Sequence, residues 1–241
     1  MVVSGGETVS SVVVENIKTS EVFMKYGIDY YCKGNIAIEK VCKNLNIIYA
    51  ELKRDLSEVA TVKDVFEDYN KWSLDFLIIY IENMHHSYIK KSLPDMLRLF
   101  EALKKNRDVS TEEISKLNCM LVRINELTLY HLKEEKEVLF PCISKLVLTL
   151  KNSTKEGFTI DDRIRSLMNR LKNKRVDIAR ELKEILQFLE HSNALNVSNA
   201  HCKILQSKLQ EFQRDLQRYF HLDNNILEPK VIQLEKELSS K

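Results

Sequence analysis

Apolar residues recur at the spacing of one helix face over four long stretches of the chain, at about 72–106, 109–147, 162–191 and 198–238. The segments between them are short and polar: Asn106-Arg107-Asp108, a Lys/Asn/Ser/Gly stretch at 151–157, and Ser192-Asn193. Ser110-Thr111-Glu112-Glu113 reads as a capping start for the second stretch. Four amphipathic helices joined by short loops predict an up-down-up-down four-helix bundle. Residues 1–60 break into shorter helical pieces, Ser10–Ile17, Ser20–Lys25, Ile36–Leu45 and Ile47–Val59, interrupted at Gly27 and at Lys33-Gly34-Asn35. Each piece is too short to be stable alone, so they are expected to pack as one small module. Residues 61–71 (TVKDVFEDYNK) are polar and charged. The expectation is an all-α chain: a small N-terminal helical domain at 1–60, a linker at 61–71, and a bundle at 72–241.

Composition supports this and narrows the partners. Only 5 Gly and 3 Pro occur in 241 residues, too few for many tight turns, which favours long helices over short strands. Hydrophobic residues make up 44% and charged residues 30%, with a net charge of +2, so composition makes no case for nucleic acid or a membrane surface. The longest apolar run, Phe76 to Ile81, is far short of the ~20 residues needed to span a bilayer. Cys32, Cys42, Cys119, Cys142 and Cys202 are odd in number and widely spaced, the pattern of reduced thiols in a cytoplasmic protein. MVVSGGETVS has no basic start or apolar core, so no signal peptide is expected.

Candidate chemistry comes from testing what lies at the centre of each apolar stripe, at about 100° per residue. On the first bundle helix, Trp72, Ile79, Ile89, Leu93, Leu97 and Phe100 surround the direction of His86, with His85 rotated off it. On the second, Leu117, Met120, Ile124, Leu127, Val138, Cys142 and Leu146 surround His131, and Glu135 follows one turn later. A buried carboxylate is unfavourable unless paired or metal-bound, so Glu135 calls for a cation. On the fourth helix Tyr219 and Asp223 repeat that spacing within the stripe, while His221 points the opposite way. The third helix has no histidine before His191 at its end, and Lys172 flanks its stripe of Ile164, Met168, Leu171, Leu182 and Leu186. A lone buried His is ordinarily a hydrogen-bonded core residue. Three helices aiming ligand-type side chains into one seam make a stronger case, because Leu would fill that seam at less cost.

The order and flanks of these motifs resemble the repair-of-iron-centres (RIC) family, also known as regulators of cell morphogenesis and nitric oxide signalling. KYGIDYYCKGN (25–35) is similar to that family's small-domain motif, MHHSYIKKSLP (84–94) and HLKEEKEVLFP (131–141) to its first two ligand helices, and HLDNNILEPK (221–230) to the end of its fourth. The resemblance implies a hemerythrin-like four-helix bundle with a non-haem di-iron centre, holding a histidine from each helix and two bridging carboxylates. Carried over by position, His86, His131, Glu135 and Asp223 would be metal ligands. Tyr219 stands in place of the fourth-helix histidine, Lys172 near the third-helix one, and Tyr31 in place of the first of two adjacent cysteines, leaving Cys32 alone.

The implied function is iron–sulfur cluster repair under nitrosative stress, carried out through a depleted iron site. The alternative is a metal-free paralogue acting as an interaction or regulatory protein. A conventional enzyme is not expected and no catalytic residue is assigned. The implied partners are iron–sulfur proteins or a complete family member, with a homodimer left open. Cys32 reads either as a reactive thiol beside a helix start or as a structural cysteine.

Overall fold

The computed structural model describes residues 4–60, 69–105, 110–151, 162–192 and 200–239. The expectation of an all-α helical fold holds: the described residues form helices, and their β-pairing is one isolated antiparallel bridge between Thr8 and Ala37. They form two compact units, Met1–Leu77 with Phe220–Lys241, and Ile78–Tyr219. Most of the expected linker, 61–68, lies outside the described residues, as do the connections at 106–109, 152–161 and 193–199; Tyr69–Lys71 forms a 3-10 turn.

The first unit contains α1 (Val9–Glu15), α2 (Thr19–Lys25), α3 (Ile38–Leu45) and α4 (Tyr49–Ala60). None is longer than 12 residues, so their stability comes from a shared core of Val9, Val12, Phe23, Ile38, Leu52 and Leu56. Each such side chain, once buried, contributes roughly 1.5–3 kcal/mol. The breaks read from the sequence are specific turns. Gly27 takes φ +68° beyond the end of α2, and the Ile28 amide donates back to the Phe23 carbonyl at 2.8 Å, which closes the helix end. Gly34 is held for space: a Cβ there would lie 2.3 Å from the Tyr30 carbonyl oxygen and 2.7 Å from the Ser10 Cβ.

The second unit is the bundle. Its helical segments are α5 (Leu74–Tyr80, from Ile78 onward in this unit), α6 (Ser87–Lys104), α7 (Thr111–Glu134), α8 (Phe140–Lys151), α9 (Asp162–His191) and α10 (Ala200–Leu222, as far as Tyr219). Ser110 caps α7 as expected: its hydroxyl accepts from the Glu113 amide at 3.1 Å and donates to the Glu113 carboxylate at 3.0 Å. α7 and α9 run antiparallel, because Glu113 near the start of α7 meets Ser192 after α9, and Glu134 at its end meets Arg170 and Lys174. His85 faces Asp215, and Tyr88 lies near Glu211 and Lys208, so the first and fourth rods are antiparallel too. These are the pairings an up-down-up-down bundle requires.

Among the described residues, three π turns, Ile81–His86, Glu135–Leu139 and Asp223–Leu227, interrupt the helices. The wider turn inserts extra chain and moves the helix face on. That is why two positions assigned to the apolar stripes face outward: Ile79, just before the first π turn, is 51% exposed, and Val138, within the second, is 46% exposed. No helix among the described residues is long and apolar enough to cross a membrane.

Candidate functional site

The bundle seam closes on Glu135. This residue opens the second π turn and is fully buried. His86, the last residue of the first π turn, brings Nε2 to 3.1 Å from Glu135 Oε2 and to 3.1 Å from the Tyr219 Oη. The Tyr219 hydroxyl itself donates to Oε2 in a short hydrogen bond. His131, one turn before Glu135, brings Nε2 to 3.0 Å from Oε1. The structure brings His86, His131, Glu135 and Tyr219 together in one cluster. Rings line it: His86 stacks on Phe140 at 5.6 Å, and Tyr219 meets His86 edge-on at 5.4 Å.

The cation that Glu135 calls for is supplied by α9, and it is Arg175. Its guanidinium Nη1 donates to Glu135 Oε1 at 3.2 Å, and both side chains are fully buried. Lys172, the residue expected near the seam, is only partly buried and makes no ion pair to Glu135. The position of Arg175 is legible in the sequence. It falls in the run Leu171, Arg175, Ile178, Leu182, Ile185, Leu189, every member of which is buried. This is the spacing of one helix face, whereas Lys172 sits one residue beyond Leu171. The neighbouring Glu134, itself buried, takes Lys174 at 2.6 Å, Arg170, and the Tyr130 hydroxyl at 3.1 Å. The basic stretch RLKNKR (170–175) thus answers both adjacent glutamates of HLKEEKE.

The electrostatics follow from burial against these partners. Burial pushes the Glu135 carboxyl up, but His131, His86 and Arg175 outweigh it and hold it well below the usual carboxylate range. Burial depresses the His131 imidazole, against the pull of Glu135, which keeps the ring neutral near pH 7. A carboxylate offers about four lone-pair directions. Here Oε1 is approached by His131 and Arg175, and Oε2 by His86 and Tyr219.

His85, read as turned off the seam, is buried as well, because the π turn carries two successive histidines inward. It lies 2.9 Å from Asp215 and stacks on Tyr219 at 5.7 Å.

The remaining candidates lie in the first unit. Asp223 opens the third π turn and is buried. His221, which points away from the stripe as read from the sequence, is a core residue of this unit. Its Nδ1 accepts from Asn225 at 3.0 Å, its ring lies 5.7 Å from that of Tyr30, and burial lowers its pKa to about 3. Cys32 is half-buried in an Asx turn, where Asp29 Oδ1 accepts from the Tyr31 amide at 3.2 Å and from the Cys32 amide at 2.8 Å. Two distant motifs interlock here: Asn224 donates to the Tyr31 carbonyl at 2.8 Å and Asn225 to the Tyr30 carbonyl at 3.2 Å. None of the five cysteines forms a disulfide.

A di-iron centre of the kind the resemblance implies needs a histidine on every rod. α9 offers Arg175 at the cluster and α10 offers Tyr219, so the donor set in this bundle does not fit that centre.

Comparison with known proteins bears on both parts of the chain. Residues 5–60 match the family ScdA_N, described as a domain of unknown function (DUF542). The chain is 24% identical over 222 residues, 88% of its length and 91% of the relative's, to a probable iron-sulfur cluster repair protein of Haemophilus influenzae. It is also 24% identical over 217 residues, 89% of its length and 91% of the relative's, to iron-sulfur cluster repair protein YtfE of Yersinia pestis. With the four motifs in their family order, these likenesses support the chain's place in the repair-of-iron-centres family.

Proposed function

We propose that this chain serves iron–sulfur cluster repair under nitrosative stress as a member whose bundle works without a di-iron centre. The observation that carries the metal-free part is the buried Arg175–Glu135 pair. The repair part is supported by likeness to relatives named for that role over nearly nine-tenths of the chain. Such a member contributes through a partner, either an iron–sulfur protein or a complete member of the family. The buried polar cluster holds the rods in one register, and the interlocked YGIDYYC and DNNIL segments fix the small unit's turn at Cys32. No step of repair is routed through bundle iron.

A second reading follows from Tyr219 and the two Nε2 atoms converging on Glu135: a single ferric ion held with the help of a phenolate.

The test is in cells. The coding gene is deleted, cells are exposed to nitric oxide, and recovery of a [4Fe–4S] hydro-lyase is followed. Slower recovery in the deletion strain is expected, together with restoration by a Glu135→Gln/Arg175→Met variant that lacks the ligand carboxylate. Unchanged recovery would overturn the repair assignment. Failure of the double variant, when it is folded and expressed, would overturn the metal-free one.

A further inference from the structure

We propose that the Arg175 guanidinium is a built-in counter-ion that excludes metal from the bundle, and that removing it turns His86, His131, Glu135 and Tyr219 into a site for one divalent transition-metal ion. The inference rests on the metal-free reading above and adds the residue that enforces it.

Three observations carry it. Arg175 lies at the centre of the buried face of α9, fully enclosed, and pairs with the Glu135 carboxylate at 3.2 Å. It occupies that carboxylate on the oxygen that His131 also approaches, so a cation reaching Glu135 Oε1 must displace a tethered positive charge. The other donors are suitable ligand types already gathered: two imidazole Nε2 atoms and a phenol within 3.1 Å of the carboxylate or of one another. Imidazole and carboxylate suit a borderline first-row ion, and a phenol can join as the phenolate once a cation is beside it. The His86 Nδ1 atom, buried and without a hydrogen-bond partner among the described residues, leaves the tautomer free to present Nε2 as a lone pair instead of an N–H. A cluster built for metal would keep positive charge away. This one places its most strongly basic side chain where the cation belongs, and Arg cannot escape by deprotonating.

The test uses the full chain and cobalt(II) as probe, read by its visible d–d bands and by calorimetry. Wild type is expected to show no site-bound cobalt. Arg175→Met, which keeps the length of the side chain without its charge, is expected to bind one cobalt at least tenfold more tightly than wild type. Adding Glu135→Gln to Arg175→Met is expected to abolish that binding. A folded Arg175→Met variant that binds cobalt no better than wild type would overturn the proposal. If Arg175→Met does not fold alone, it is refolded with cobalt present. A cobalt-loaded folded protein then supports the proposal, and continued failure, while the double variant folds, contradicts it. Iron bound by wild type would sink the metal-free reading. An iron-free wild type with a cobalt-refractory variant would sink this inference alone.

Discussion

Removing the carboxylate from the cluster while leaving Arg175 in place is the sharpest perturbation the bundle offers. Glu135→Gln conserves shape and keeps an acceptor for the Tyr219 hydroxyl, but strands a guanidinium that is fully buried. Two charges 3.2 Å apart at an effective dielectric of ~20 attract by about 5 kcal/mol. Breaking one side of a buried pair is expected to destabilise by about 3–5 kcal/mol, since the surviving charge stays desolvated. For a unit of this size that corresponds to a fall of roughly 6–20 °C in Tm. Arg175→Met alone is expected to cost a similar amount. The double variant removes both charges and is expected to recover at least half of either loss, giving a coupling energy of at least about 4.5 kcal/mol. The assay is thermal melting by circular dichroism, with hydrogen exchange on peptides from 78–219 to isolate the bundle, because two units need not melt together. A double variant that loses as much stability as the two single variants added together would mean zero coupling and would refute the pairing.

Four further outcomes are expected. Tyr219→Phe removes the hydroxyl shared by Glu135 and His86 and is expected to lose about 1–3 kcal/mol, measured by the same melts. His221 is held neutral by burial with a pKa of about 3, below its ordinary 6.5, so as pH falls the unfolded chain takes up the proton first. Its contribution is complete above 6.5 and declines by about 1.4 kcal/mol per pH unit below that, toward pH 3; His221→Gln should therefore flatten stability against pH by about one proton between pH 6.5 and 4.5. Gly34→Ala forces a Cβ against the Tyr30 carbonyl and Ser10 and is expected to cost about 1–3 kcal/mol, seen as a lower melting temperature of the small unit. Lys172→Ala, away from the carboxylate cluster, is expected to change stability by less than about 0.5 kcal/mol, and a loss as large as that of Arg175→Met would return Lys172 to the seam.

The helices and their assembly were readable because burial leaves a periodic trace: the Ser110 cap, the breaks at Gly27 and Gly34, and the inward directions of His86, His131 and Tyr219 all match the structure. The errors have two physical sources. A uniform 100° turn cannot anticipate a π turn, so it sets Ile79 and Val138 inward and His85 off the centre of the seam. The missing cation was sought at the position the resemblance suggested, Lys172, although Arg175 sits in phase with Leu171 and Ile178. A basic residue on a buried stripe is easily discounted as a solvated one. Only the partner carboxylate at the start of the second π turn, 40 positions away along the chain, explains why it can stay there.

The central claim is that the bundle balances Glu135 with its own arginine instead of with iron. The most direct test is metal analysis and an optical spectrum of the full chain expressed in iron-rich medium. The account predicts well under one iron per chain and no oxo-bridged charge-transfer bands. Close to two irons per chain with those bands would contradict it.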